Sequence, residues 1–182
     1  AYCPHCDGPF FKDKDVAVVG GGNSGIEAAL DLSGIVNNVT VLEFMPDLKA
    51  DQILVDKVKN SDNIEIFTNT KSKEVVSESG QVNGLLCEKR ENSKEFLIPL
   101  EGIFVQIGLI PNSSFVKNLV KTTSYGEIII DESGRTSIEG IFACGDVTTI
   151  PYKQIVISMG EGAKTALTVA DYLMKDYSEV AA

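Results

Sequence analysis

Histidine is almost missing from this sequence and cysteine is scarce: His5 is the only imidazole, and the thiols stand at Cys3, Cys6, Cys87 and Cys144. A structural zinc centre takes four such ligands in close groups, and here only Cys3 and Cys6 lie near each other. Cys87 and Cys144 are each isolated in apolar, strand-like surroundings and read as inert core thiols, so no metal is expected. Cysteines this few and this unevenly spread also exclude a disulfide scaffold. Long apolar runs are missing as well. None approaches the ~18–20 residues of a membrane span, so no membrane partner is expected. The opening Ala1-Tyr2-Cys3-Pro4-His5-Cys6 has neither the basic nor the apolar region of a signal peptide. A lone Cys-x-x-Cys without secretion signals fits a cytoplasmic redox pair. Basic charge is short too: 16 Lys+Arg against 26 Asp+Glu leave a net charge of −10. A surface that acidic repels phosphate backbones and argues against nucleic acid.

What is present is a globular composition, 182 residues with 43% hydrophobic and 23% charged, enough for one domain or two small ones. After the turn signal Asp7-Gly8-Pro9, Val16–Val19 reads as a buried strand running into Gly20-Gly21-Gly22-Asn23-Ser24-Gly25. Ile26–Ile35 has helical spacing, Val39–Leu42 is a second strand closed by Glu43, a helix spans about Asp51–Asn60, and Ile64–Phe67 is a third strand. This β-α-β-α-β order predicts a parallel sheet with crossover helices. From Glu74 to Ile98 the pattern changes to short antiparallel strands, and Ile103–Ile107 is another buried strand. A turn over Gly108–Asn112 marks a domain junction. Beyond it, strands are expected at Glu127–Asp131 and Ile141–Cys144. A closing helix from about Lys153 to Met174 carries Ile155, Met159, Ala163, Ala166, Leu167, Ala170 and Leu173 on one side.

Gly20-x-Gly22-x-x-Gly25 would mean little alone, but it sits between a strand and a helix as a dinucleotide site requires. The first glycine permits the tight turn, the second lets a pyrophosphate approach the backbone, and the third lets helix and strand pack closely. Asn23 and Ser24 complete the candidate phosphate loop, and the N-terminus of the helix that follows faces the phosphates with free N–H groups. Glu43 closes the next strand at about the 20-residue distance of the acid that holds the ribose hydroxyls. A carboxylate there accepts from a diol and repels a 2′-phosphate. Glu43–Leu48 contains no arginine, so NADH is expected over NADPH. The plainer alternatives are a ligand-free glycine turn and a solvated strand end at Glu43.

Cys3 and Cys6 are the candidate redox dithiol. Such a pair interconverts with a disulfide by thiolate attack, and the intervening residues tune acidity and potential. Pro4 and His5 are compatible with a lowered thiol pKa, and Asp7 stands where it can move protons as the disulfide opens. A Pro-His pair between cysteines also suits a thioredoxin fold. That fold needs a strand before the pair and a helix starting at it, and Asp7-Gly8-Pro9 is expected to interrupt any helix.

These residues together resemble the low-molecular-weight thioredoxin reductase family along the whole chain, and most of all its members that serve peroxiredoxins in hydroperoxide detoxification. The likeness rests on Cys3–Pro9, Gly20–Gly25, Leu42-Glu43-Phe44, Lys49-Ala50-Asp51, Gly102–Gly108, Pro111-Asn112, Gly140–Asp146, Pro151–Gln154 and Gly160–Lys164. The resemblance implies an α/β fold: a Rossmann-like nicotinamide domain with an antiparallel meander over residues 1–108, then the C-terminal part of an FAD-binding domain over 109–182. It implies nucleotide or flavin contacts at Gly108, Thr136, Gly145, Asp146, Lys153, Gln154 and Ile155. Cys6 would face the flavin, Cys3 would attack the partner, and Asp7 would serve as acid–base group. Electrons would pass from NADH through FAD and the dithiol to a thioredoxin-like domain or peroxiredoxin. A homodimer is implied at full length.

Two departures stand out. The first FAD segment of the family, with its own glycine fingerprint, is not found before Ala1, so the flavin pocket is expected to be incomplete and this chain alone inactive. The basic residues that thioredoxin reductases place after the second strand are also missing. Three readings therefore stand: an NADH-dependent reductase of a peroxiredoxin system, a thioredoxin reductase, and a nucleotide-binding module without turnover.

Overall fold

The β-branched run at Val16–Val19 becomes an inner strand, β1 (Asp15–Val19), in a computed structural model that describes residues 1–180, with side chains as far as Met174. Contacts divide the chain into two units, Ala1–Gly108 and Leu109–Ala182.

The first unit begins with a one-turn helix α1 (Pro4–Asp7), followed by a 3-10 turn over Gly8–Phe11. Asp7-Gly8-Pro9 interrupts the helix at the dithiol, as expected, but only after one turn has formed around the two cysteines. Cys3 caps α1, Pro4 stands in its first turn, and Pro9 opens the 3-10 turn, where a missing N–H costs nothing. Helix α2 (Asn23–Ser33) starts earlier than the Ile26 expected, because Gly22 serves as its N-cap. Strands β2 (Asn38–Leu42), β3 (Ile64–Phe67) and β7 (Gly102–Val105) join β1 in a parallel sheet of order β3-β2-β1-β7, with α3 (Gln52–Lys59) between β2 and β3. The intervening β4 (Thr70–Glu78), β5 (Gln81–Lys89) and β6 (Lys94–Pro99) form the expected antiparallel meander as a separate sheet.

The pleat of β1 sends alternate residues to two cores. Val16 and Val18 join Ile26, Ala29, Leu32, Val39, Val41, Val58 and Phe104 under the helices. Ala17 joins Leu42, Leu85, Cys87 and Leu100 beneath the meander. A parallel sheet covered on both faces needs such continuous apolar strands. Cys87 is fully buried, as expected, and burial pushes its thiol up to about 11.

The second unit is built differently. The strands expected at Glu127–Asp131 and Ile141–Cys144 are not strands. Single-residue bridges join Ile128 to Thr122 and to Thr148, and Arg135 to Phe142. No ladder extends from them: Asp131 takes the N–H groups of Ser133 and Arg135 on its side chain, turning the chain before pairing can propagate. Helix α4 (Ile155–Val180) begins two positions beyond Lys153 and runs past Met174. The face it turns to its own unit is largely polar. Ser158 donates to Asp146, Thr165 is buried, and the Tyr172 ring meets Phe142 at 5.6 Å. Its apolar residues Ile155, Met159, Leu167 and Leu173 are exposed. Cys144 is half buried rather than a core thiol.

Candidate functional site

Cys3 and Cys6 form a disulfide across α1, with Cα atoms 5.3 Å apart. A single helical turn brings positions i and i+3 onto one face, which is why two intervening residues suffice. The Cys3 sulfur accepts from the Cys6 N–H at 3.2 Å, and the Cys3 carbonyl accepts from the N–H of Asp7 at 2.9 Å. Cys6 is exposed while Cys3 and Asp7 are half buried. His5 meets α2, its Nε2 lying 3.1 Å from Asp31 Oδ2. The residue expected to tune the thiols is thus engaged elsewhere in the oxidised state. The start of the chain is moored beside β7: Val105 donates to the Ala1 carbonyl, and the Gln106 side chain donates to that of Tyr2.

The glycine loop has the geometry its sequence requires. Gly20 has φ +122°, and a Cβ there would strike the Gln106 carbonyl; a Cβ at Gly25 would strike the Gly20 carbonyl. Both positions are closed to any side chain. Gly22 is the opposite case, for a Cβ on it would meet nothing within 4 Å. The space beside the second glycine is open, as it must be for a phosphate to reach the backbone. Gly22 caps α2 without a side chain, leaving the first-turn N–H groups to face a ligand.

Glu43 stands at the end of β2, 8% exposed. Its Oε2 accepts from the Gly21 N–H at 2.6 Å and its Oε1 from the Met45 N–H at 2.7 Å. The structure therefore brings Glu43 to the glycine loop, as the spacing implied. Asn23 has a role the sequence did not reveal: its amide donates to Asp51 Oδ2 at 3.1 Å and accepts from the Asp51 N–H at 2.7 Å. That exchange ties the start of α2 to the start of α3. Gly108, at φ +96°, also has open space beside it.

In the second unit, Asp146 and Lys153 line one cleft of about 470 Å³ with Leu109–Asn112, Tyr125, Glu127 and Val147. Asp146 is exposed and accepts from the Ser158 hydroxyl at 2.6 Å. Lys153 is held by the Thr148 carbonyl and lies 3.1 Å from the Glu127 carboxylate. Glu127 and Tyr125 were missed, since nothing in their local sequence marks them. Gly145 takes φ +77° at the turn before Asp146. Thr136 lies apart from the cleft, its hydroxyl bonded to the Ile141 carbonyl at 2.8 Å. Gln154 and Ile155 stand at the exposed start of α4. A larger cleft of about 520 Å³ in the first unit is lined by Asp15, Glu78 and Glu101. It adjoins the N-terminal ends of β1 and β7, the wrong end of a parallel sheet for a dinucleotide. Among the described residues no group of His, Cys, Asp or Glu is placed to hold a metal, and no helix is long and apolar enough to cross a membrane.

Residues 1–170 match the family model described as pyridine nucleotide-disulphide oxidoreductase. The chain belongs to that family. It is 53% identical over 97% of its length to the F component of alkyl hydroperoxide reductase in Staphylococcus aureus, of which it covers 34%. It is likewise 53% identical over 96% of its length to the protein of that name in Escherichia coli, covering 33% of it. The chain thus spans about a third of the length of these curated relatives. Thioredoxin reductase from Streptococcus pyogenes superposes with a TM-score of 0.88 at 37% identity, over 96% of this chain and 57% of the other. The parallel sheet with its antiparallel meander is the family's fold.

Proposed function

We propose that this chain carries the nicotinamide site and the redox disulfide of a flavoprotein disulfide reductase that uses NADH and serves a peroxiredoxin system. The observation that carries this reading is the Cys3–Cys6 disulfide on the same unit as a glycine loop that is open only at Gly22. NADH would lie with its pyrophosphate against Gly22–Gly25 and its ribose hydroxyls on Glu43. The acceptor would be a thioredoxin-like domain or a peroxiredoxin. A cytoplasmic location and a homodimer at full length belong to the same proposal.

Residues 1–108 act in this reading as the nicotinamide domain and 109–182 as part of an FAD domain. The donors around the second unit's cleft suit part of a flavin. The Asp146 carboxylate keeps acceptor capacity for a ribityl hydroxyl, and the N-terminus of α4 offers a positive dipole end near Lys153, Gln154 and Ile155. Gly20–Gly25 is the only G-x-G-x-x-G run in the chain, so the flavin's pyrophosphate requires other residues. When bound, the flavin supplies two-electron transfer between a nicotinamide and a disulfide. The chain's own work is then at sulfur. Two electrons and two protons convert the Cys3–Cys6 disulfide to a dithiol, and Asp7 stands one residue from Cys6 to carry a proton. The Cys3 thiolate attacks the acceptor's disulfide, forming a mixed disulfide and releasing one acceptor thiol. Cys6 attacks Cys3, re-forms the disulfide and releases the second thiol.

The test uses the full-length, flavin-loaded enzyme. Cys3→Ser is expected to abolish reduction of the protein acceptor while NADH oxidation by a small artificial electron acceptor survives. Equal loss of both activities would contradict the assigned roles. Thioredoxin reductase is the second reading, favoured by the fold match, and a strong preference for NADPH over NADH would select it.

A further inference from the structure

The turn after β2 is held by three successive carbonyls. That of Glu43 accepts from the Thr70 N–H at 3.0 Å, that of Phe44 from Arg90 Nη1 at 2.9 Å, and that of Met45 from the Asn69 N–H at 2.8 Å. Two of these donors are backbone and follow from the chain path. The third is a side chain reaching across 46 positions. Arg90 is gripped from several sides. Its guanidinium carbon lies 3.9 Å from the Phe44 ring centroid, Nη1 also donates to Asn69 Oδ1 at 3.2 Å, and its own N–H donates to the Asn69 carbonyl at 3.0 Å. Asn69 adopts φ +51°, a left-handed conformation that asparagine tolerates better than most residues.

The turn matters because Met45 is one of the two donors that hold the Glu43 carboxylate. With the Gly21 N–H on one oxygen and the Met45 N–H on the other, the carboxylate is oriented from both ends. An ionised carboxylate has about four acceptor sites, so each oxygen retains capacity for one ribose hydroxyl. Losing the Met45 bond frees one end, and the group can then rotate out of the position that accepts a diol and repels a 2′-phosphate.

We propose that Arg90 is a positioning residue for dinucleotide selection: it fixes the Phe44–Met45 turn that aims Glu43. This rests on the dinucleotide reading given above. Arginine suits the task because its planar fork can stack on a ring and donate to a carbonyl at once, which lysine cannot do.

The experiment measures binding of NADH and NADPH to the purified chain by nucleotide fluorescence, with a melting temperature recorded for each protein. Arg90→Ala is expected to weaken NADH binding about 5- to 10-fold, the scale of a lost charge-assisted hydrogen bond and ring contact, with NADPH binding unchanged, so that selectivity shrinks. Arg90→Lys keeps a donor but loses the stacked plane and is expected to fall between. Equal weakening of both nucleotides would mean a purely structural role and overturn the inference. A greater loss of NADPH would place Arg90 on the 2′-phosphate and overturn it as well. A wild-type preference for NADH with an unaltered ratio in Arg90→Ala sinks this inference alone. Wild-type protein that binds neither nucleotide, or prefers NADPH, sinks the NADH reading with it.

Discussion

The two units of this chain use apolar sequence in opposite ways. In the first, alternate faces of one parallel sheet feed two buried cores, and Val16, Val18, Leu32, Val41 and Phe104 are closed to solvent. In the second, Val120 and Ile128 are the only buried apolar side chains among the described residues, while Ile110, Phe115, Ile155, Val156, Met159 and Leu167 are exposed. A sheet covered on both sides supplies its own interior. A set of turns closed by one helix, with a polar stripe of Ser158 and Thr165 turned inward, does not. The proposed nucleotide site rests on the first kind of structure, and the residues proposed to face a flavin rest on the second.

Separating the units should show the contrast most strongly. Residues 1–108 expressed alone should show a single cooperative urea transition, and residues 109–182 alone should show none. Equal cooperativity would erase the difference between them. Point truncation gives a finer test. Phe104→Ala should destabilise the first unit by about 3–5 kcal/mol, whereas Leu167→Ala on α4 should fall within about 0.5 kcal/mol of wild type in denaturant titration. Within the glycine loop the contrast is between closed and open positions. Gly25→Ala should cost about 1–3 kcal/mol in stability, because its Cβ collides with backbone. Gly22→Ala should fold normally yet weaken NADH binding at least about tenfold, because its side chain enters the phosphate's space. A Gly22→Ala protein that bound NADH normally would remove the phosphate from that loop.

A subtler difference separates the two free thiols. Desolvation holds the Cys87 thiol at about 11, so in the folded protein it stays protonated through pH 9 and gains thiolate only as pH rises toward that value. Cys144, half buried, should alkylate faster at pH 8. Mass spectrometry after brief labelling would show the order, and preferential labelling of Cys87 would contradict it.

Much of the first unit was legible because its signals are local. The run Val16–Val19 ends in glycines whose spacing dictates a turn and a helix, and Glu43 follows at the distance one crossover requires. The Cys3–Cys6 pair was legible for the same reason, since one helical turn brings the sulfurs together. Contacts made across long separations left no local trace. Nothing near Arg90 announces that it grips Phe44, and nothing near Asn23 announces Asp51, because each pair is created by strand order. The second unit misled in the other direction. Glu127–Asp131 has a strand's composition, but a strand also needs a partner of matching length, and Asp131 bends the chain just beyond the two single-residue bridges of Ile128. Apolar spacing along α4 was real, yet it said nothing of which face would be covered.

Electrons from NADH must reach the sulfurs of this chain if the proposed function is right. The direct measurement is anaerobic addition of NADH to the full-length, flavin-loaded enzyme, acid quench, thiol alkylation and peptide mass spectrometry. Cys3 and Cys6 should be disulfide-bonded before NADH and both alkylated after it, with Cys87 and Cys144 labelled alike in the two samples. A flavin that is bleached by NADH while Cys3 and Cys6 remain joined would contradict the proposed electron path.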